Sequence, residues 1–217
     1  MLTYAIGDVH GRADLLARLL ARIEDHRAGR PRRLVFLGDA VDRGPDSAGA
    51  VAILRELQAR EPDGVTCLMG NHEAMLLDAA AGTNPDLWRI NGGGATLASY
   101  GVAHPGDLPA EVVAWIAALP TLHGDPQRWY VHGGLDPGRD AAASDRETRL
   151  WMREPFLSSG HDFGRHVVHG HTPTRTGRPE LRARRTNLDT GAVFGGPLTA
   201  GVFTDDQGPP VEVLAVQ

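Results

Sequence analysis

The chain contains no lysine: all 22 of its basic residues are arginine. No Schiff-base amine and no P-loop lysine is therefore available, and every cationic contact must come from a planar, permanently charged guanidinium. Cysteine is almost as scarce. Cys67 stands alone, which excludes an internal disulfide, and its setting in Val65-Thr66-Cys67-Leu68-Met69 reads as a buried strand residue rather than a nucleophile. No apolar run is long enough to span a bilayer. The first strand-like run starts almost at Met1, leaving no room for a signal peptide, so the expected setting is soluble, reducing and cytoplasmic. An excess of positive charge is missing too. With 27 acidic residues the formal charge is -5, which gives no general pull toward nucleic acid or an anionic membrane.

What is present is a repeated pattern of short apolar run, polar ending and helix. At 217 residues the chain fits one domain, 1–217, able to bury a sizeable core. Leu34-Val35-Phe36-Leu37 runs into Gly38-Asp39-Ala40-Val41-Asp42-Arg43-Gly44, which places two carboxylates and an arginine at the carboxyl end of a buried strand. Open α/β sheets carry their chemistry there, although Gly-Asp and Arg-Gly pairs are also ordinary turn formers. Leu2 to Ile6 ends in the same manner, in Gly7-Asp8-Val9-His10-Gly11. Asp14 is placed to cap a helix whose Leu15, Leu16, Leu19, Leu20 and Ile23 share a face. Asp46-Ser47 opens a second helix through Leu57, and Val65 to Met69 reads as a third strand ending in Gly70-Asn71-His72-Glu73. Such alternation predicts parallel strands in an α/β layer.

The stretch from about 82 to 120 breaks the pattern and reads as an inserted helical cap, built around Pro85, Trp88, the Asn91-Gly92-Gly93-Gly94 turn and a helix through Trp115 and Ile116. It serves either as a substrate-contacting lid or as a structural excursion. Strands then follow at Arg128 to Val131, ending in His132-Gly133-Gly134, and at His166 to His169, ending in Gly170-His171-Thr172. The remainder, near Leu181 to Thr190, Leu198 to Thr204 and Val211 to Val216, reads as antiparallel strands.

Five strand ends thus carry Asp8/His10, Asp39/Asp42/Arg43, Asn71/His72, His132 and His171. Carboxylate, imidazole and amide oxygen together suit manganese, iron or zinc and make a poor calcium site. Any one of these histidines alone would read as a hydrogen-bonded core or surface residue; recurrence in the same context favours a metal site.

The ordered set Gly-Asp-Val-His-Gly, Gly-Asp-Ala-Val-Asp-Arg-Gly, Gly-Asn-His-Glu, His-Gly-Gly and Gly-His-Thr, from Gly7 to Thr172, resembles the phosphoprotein phosphatase family of the calcineurin-like metallophosphoesterases. The length and the Leu150-Trp151-Met152-Arg153-Glu154-Pro155-Phe156 segment are similar to its compact bacterial and phage serine/threonine phosphatases. The resemblance implies an α/β sandwich of two mixed β-sheets flanked by helices. It also implies two metal ions, manganese first and iron or zinc as alternatives. Asp8 and His10 would bind the first, Asp39 would bridge both, and Asn71, His132 and His171 would complete the second, leaving His169 in a supporting position. Two cations about 3.5 to 4 Å apart make a bridging hydroxide available near neutral pH for direct attack on phosphorus. Arg43 and Arg153 are the candidates for gripping phosphate oxygens, since a guanidinium fork matches two of them. His72 is the candidate donor of a proton to the leaving oxygen, with Asp42 orienting it.

The implied activity is hydrolysis of phosphomonoesters, foremost as a serine/threonine phosphoprotein phosphatase. The alternative is hydrolysis of dinucleoside polyphosphates such as diadenosine tetraphosphate, and a third reading is a catalytically silent phosphopeptide-binding module. A nucleotidase would need a base-stacking slot and extra cations. Trp88, Tyr100 and Trp115, and the five arginines from Arg175 to Arg185, are the residues that could supply them, although cap aromatics are more often core and an arginine-rich hairpin is more often solvated. His26, His104, His123, His161 and His166 read as surface or packing residues. The expected partners are a phosphoprotein or a small phosphoester, with no nucleic acid, membrane or regulatory subunit.

Overall fold

The computed structural model describes residues 1–217. Its first half follows the alternation in the sequence: β1 (Leu2–Ile6), α1 (Ala13–Arg27), β2 (Arg32–Phe36), α2 (Ser47–Arg60), β3 (Val65–Cys67) and α3 (Asn71–Ala80). Strands β1, β2 and β3 are parallel neighbours, with Ile6 beside Phe36 and Phe36 beside Cys67, so their carboxyl ends share one edge. Helix α1 buries Leu15, Leu16, Leu19 and Ile23. Asp46 caps α2, its Oδ1 accepting the Gly49 N–H at 2.8 Å. Asp14 does not cap α1; it lies in the first turn, where its carboxylate pairs with Arg12 and favours the helix dipole. The third strand stops at Cys67, because Leu68 and Met69 leave the ladder to bond Phe36 and Pro120 individually.

The segment expected as a cap is helical: α4 (Pro85–Trp88), a wide π-type turn over Arg89–Gly93, α5 (Gly94–Tyr100) and α6 (Ala110–Ala117). Trp88, Leu97, Leu108, Val112 and Ile116 pack with Val41, Val51, Met75 and Leu76 of the preceding layer into one apolar cluster. Trp88 is fully buried and Trp115 partly so, its indole N–H donating to Gln58 at 2.8 Å. The core reading of these aromatics holds.

The second half contributes β4 (Leu122–Gly124), β5 (Arg128–Val131), α7 (Arg146–Trp151), β6 (His166–His169), β7 (Glu180–Leu181), β8 (Arg185–Asn187), β9 (Leu198–Phe203) and β10 (Glu212–Val216). Together with β1, β2 and β3 they form two mixed five-stranded sheets, in the order β10-β9-β1-β2-β3 and β4-β5-β6-β8-β7. The carboxyl-terminal strands are not uniformly antiparallel. β8 runs parallel to β6, with Val168 beside Thr186, because the chain first runs back along the outer edge as β7 and then turns in a short antiparallel hairpin that lays β8 between β7 and β6. Ala5, Val35 and Phe203 of the first sheet, with Leu37 and Leu68 just past the ends of β2 and β3, meet Tyr130 and Val168 of the second, with Leu188 just past β8, between the layers. Sandwiching the sheets face to face brings the two sets of parallel strand tips to one edge, and the polar clusters sit on that edge.

Candidate metal centre

Asp39 lies at the middle of the strand tips, with its two carboxylate oxygens facing different partners. Oδ2 is 3.4 Å from His10 Nε2 and 4.0 Å from His72 Nε2, whereas Oδ1 is 3.3 Å from His132 Nε2. His10, Asp39 and His72 converge on one side, and Asp39, His132 and His171 on the other, each trio with its donor atoms close enough to share one ion. Asn71 belongs with the second: its Oδ1 is 2.9 Å from both His132 Nε2 and His171 Nδ1. Asp8 is buried beside them and takes the His171 backbone N–H at 3.0 Å. Asp8, His10, Asp39, Asn71, His132 and His171 are thus gathered in one place, drawn from both sheets.

The hydrogen bonds around this cluster fit cations. His10 Nδ1 contacts the Val41 carbonyl and His132 Nδ1 the Leu37 carbonyl, both at 2.9 Å. A carbonyl only accepts, so each Nδ1 carries the hydrogen and each Nε2 presents its lone pair to the centre. For His132 that lone pair faces the oxygens of Asn71 and Asp39, an arrangement that demands a proton or a metal ion between them. Burial opposes a charge on His132, yet Asp39, with Asp8 and Glu73 behind it, outweighs burial and pushes the imidazole up to about 10. Burial holds His10 and His171 down at about 3, so these remain neutral donors. Burial also raises Asp8, with Asp189 adding to it, while the surrounding imidazoles overcome burial and hold Asp39 well below the usual carboxylate range. A buried cluster of carboxylates and imidazoles is the donor set of borderline divalent metals, which would take the place of the proton on His132.

The local backbone is bent to achieve this. Seven non-glycine residues have positive φ, and five belong to the cluster: His10 (44°), Asp39 (52°), Asp42 (72°), Arg43 (70°) and His171 (67°). L-residues adopt this region at a cost, and such strain collects at functional sites. Gly70 is required where the tips meet, because a Cβ there would run into the Asp39 side chain.

His72 and Asp42 form a pair. The imidazole Nδ1 donates to Asp42 Oδ2 at 2.7 Å, leaving Nε2 toward Asp39. Arg43 is exposed, with one guanidinium N–H donating to His10 Nε2 at 2.8 Å. Arg153 is exposed on the far side and near enough to His171 for its charge to help depress that imidazole, after burial and His132. His169 lies outside both trios, fully buried, with Arg185 at 3.3 Å from its Nε2. His104 and His161 are exposed; His26 bonds Tyr4 and Glu212, His123 stacks on Tyr130, and His166 pairs with Thr186. None of these five reaches the cluster. Cys67 is buried and its thiol is pushed up to about 12 by burial, as expected of a strand residue that is not a nucleophile.

Two carboxylates escape sequence reasoning. Glu73 is buried and accepts backbone N–H bonds from Asp39, Ala40 and Gly70 at 2.8 Å and from Val41 at 3.3 Å, clamping the Asp39 loop onto α3. Asp189 follows β8, is buried, and is pushed up to about 6 by burial against the charge of Asp39. It sits at another strand tip, in Asn187-Leu188-Asp189-Thr190-Gly191, so the rule that found the other five would have found it once β8 was read as parallel.

Comparison with known proteins agrees with this geometry. A family model described as calcineurin-like phosphoesterase matches residues 1–196. Serine/threonine-protein phosphatase 1 of Salmonella typhimurium is 33% identical over 204 residues, covering 90% of this chain and 89% of that protein. A symmetrical bis(5'-nucleosyl)-tetraphosphatase of Dechloromonas aromatica is 35% identical over 170 residues, covering 77% of this chain, which spans about half (55%) of that enzyme's length. Among solved structures, one assigned provisionally as a diadenosine tetraphosphatase superposes with a TM-score of 0.73 at 24% identity, covering 99% of this chain and 92% of that one. The match across nearly the whole chain, joined to the two-sided cluster around Asp39, makes this protein a member of the calcineurin-like phosphoesterase family and a metal-dependent phosphoesterase.

Proposed function

We propose that the protein hydrolyses phosphomonoesters of serine and threonine in phosphoproteins, with two metal ions. Asp8 and His10 would hold one ion, Asn71, His132 and His171 the other, and Asp39 would contribute an oxygen to each. Manganese is the proposed metal, with iron or zinc compatible with the same donors. Bound there, the pair supplies Lewis-acid charge and acidifies water for attack on phosphorus. The chain's own groups do the rest. Arg43 and Arg153 would grip non-bridging phosphate oxygens and balance the charge that spreads over them in the transition state. His72 would hold a proton on Nε2 for the leaving serine or threonine oxygen, oriented through Nδ1 by Asp42. The proposed setting is the cytoplasm, consistent with a lone, buried free thiol; no helix is long and apolar enough to cross a membrane.

The observation carrying the choice of substrate is the fate of the groups that a nucleotidase would need. Trp88 is buried, and three of the five arginines from Arg175 to Arg185 already have carboxylate partners, Arg182 and Arg185 sharing Glu180 and Arg184 pairing with Asp162. Neither the cap aromatics nor most of that hairpin is free for a second nucleotide or a long phosphate chain. One observation favours the dinucleoside polyphosphate reading. Two aromatics border the centre with exposed rings, Trp151 (39% exposed) 6.1 Å from the His171 ring and Phe194 (66% exposed) 5.6 Å from the Arg43 guanidinium. A panel of phosphoserine and phosphothreonine peptides, diadenosine tetraphosphate and free nucleotides, assayed with manganese-loaded protein, decides between them. Faster turnover of the peptides by kcat/KM supports the proposal; preference for diadenosine tetraphosphate overturns it. Tight phosphopeptide binding without turnover would instead indicate a silent binding module.

A further inference from the structure

Asp42 is completely buried, and both of its oxygens are occupied from two directions. On one side stands His72. On the other stand Trp88 and Thr96, whose indole N–H donates to Oδ2 at 2.8 Å and whose hydroxyl donates to Oδ1 at 2.6 Å. Hydrogen counting fixes every direction in this network. An indole can only donate and a carboxylate can only accept. Thr96 spends its single hydroxyl hydrogen on Asp42, so at 3.0 Å from Ser47 it must accept, and it accepts the Asp42 backbone N–H at 3.0 Å as well. No donor in the set is idle, and the carboxylate cannot turn about its terminal torsion without breaking a buried hydrogen bond.

Both donors come from the 82–120 segment, one from each side of its π-type turn. The turn is shaped for this. Gly92, at φ 109°, points its carbonyl at the Arg43 backbone N–H, 3.1 Å away, and a Cβ there would lie 2.9 Å from that nitrogen. A Cβ on Gly93 would run into the Trp88 indole. The Asn91-Gly92-Gly93-Gly94 stretch thereby lets one turn brace Arg43 and seat Trp88 under Asp42. The segment reaches the centre through its buried face.

We propose that Trp88 and Thr96 are positioning residues for the phosphoester reaction: the helical segment holds the Asp42 carboxylate in one orientation, and Asp42 in turn aims His72 Nε2 at the leaving oxygen. The inference rests on the reading of His72 as proton donor. With Nδ1 tied to Asp42, the direction of Nε2 follows from the plane of that carboxylate. Losing either donor lets the pair rotate together, so cleavage of substrates that need a proton suffers most.

The test compares a phosphoserine peptide with p-nitrophenyl phosphate, whose leaving group hardly needs protonation, in Trp88→Phe, Thr96→Val, Thr96→Ser and His72→Ala. Trp88→Phe and Thr96→Val are expected to lower the ratio of kcat on the peptide to kcat on the aryl phosphate by about tenfold, the size of one lost hydrogen bond to a charged group. Thr96→Ser should restore the ratio. Added to His72→Ala, neither substitution should lower it further, because residues acting as one unit are not additive. In metal-free protein, the low-field proton signal of the His72 Nδ1–H should shift or broaden in both variants. The proposal is overturned if the ratio stays unchanged in both, or if the losses multiply with that of His72→Ala. Should His72→Ala fail to change the ratio, the proton-donor reading itself falls, which is a different result from a selective His72→Ala beside unselective Trp88→Phe. If Trp88→Phe does not fold, Thr96→Val and its serine rescue decide on the same criteria.

Discussion

The two sheets deliver their strand tips to the centre in different ways. The tips of β1, β2 and β3 are held from within their own half: Glu73 clamps residues 39–41 and Gly70, and the Asp42 network braces His72. Four of the strained positive-φ residues, His10, Asp39, Asp42 and Arg43, lie there. The tips of β5 and β6 carry only His171 in that conformation, and they lean across the sandwich. His132 is oriented by the Leu37 carbonyl, and the His171 backbone is tied to Asp8. The first half is a preorganised cradle, and the second supplies imidazoles that take their bearing from it. Damage to the first half should therefore spread to the second, whereas the reverse should stay local.

The largest effect is expected from Asp39→Ala, which removes the one carboxylate facing both trios. Turnover with manganese should fall about 10³-fold, a loss of several kcal/mol of transition-state stabilisation. Metal content by elemental analysis should drop from two ions per chain to one or none. His171→Ala should lose less and regain much of its turnover at high manganese, since the cradle remains. An equal, metal-independent loss in both variants would erase the distinction between the halves.

His72→Ala comes next, with a predicted loss of about 10²-fold on a phosphoserine peptide, the usual scale of general-acid catalysis. The loss on p-nitrophenyl phosphate should be much smaller. A double-reciprocal comparison of the two substrates reads this directly, and equal losses would take the proton from His72 and assign it elsewhere.

Glu73→Gln tests the cradle through stability. A buried carboxylate accepting four backbone N–H groups would be replaced by an amide whose NH2 faces donors, at a cost of about 3 kcal/mol. Asp189, which is held by a single Gly191 N–H at 3.0 Å, should tolerate conversion to Asn with a far smaller change. Urea unfolding of the metal-free variants measures both; comparable midpoints would mean that Glu73 organises nothing.

Much of this is legible in the sequence, and unevenly so. The first-half site lies in three compact motifs, because a parallel strand followed at once by a helix forces the functional residues into the short turn between them. His132 and His171 are 39 positions apart in sequence, and only the pairing of β5 with β6 makes them neighbours. The burial of Cys67 is legible in its strand-like setting, since burial of a small apolar strand residue is a local property. Trp88 reads as core in the sequence, but its bond to Asp42 crosses 46 residues and depends on a turn whose glycines look like any loop. Asp189 escapes because a purely antiparallel reading of 181–190 omits the parallel pairing of β8 with β6, which carries the end of β8 to the same edge as His171.

The smallest effect concerns the second sheet alone. None of β1, β2 and β3 contains a histidine, whereas β6 starts with His166, buried and pushed down to about 4 by burial. Its folded pKa lies below the unfolded value of 6.5, so the unfolded chain takes up the proton first. Stability is full above pH 6.5, declines as the pH falls toward about 4, and stops declining from this source once both states are protonated. His166→Gln should keep the Thr186 contact while removing the titration, so the melting temperature of the metal-free variant should fall less steeply over that window than that of the parent. His10, His169 and His171, each held near 3 by burial, leave a residual slope in both proteins. Parallel curves for parent and variant would mean that the strand is loose enough to hydrate His166, and the second sheet would then be softer than its dependence on the first half requires.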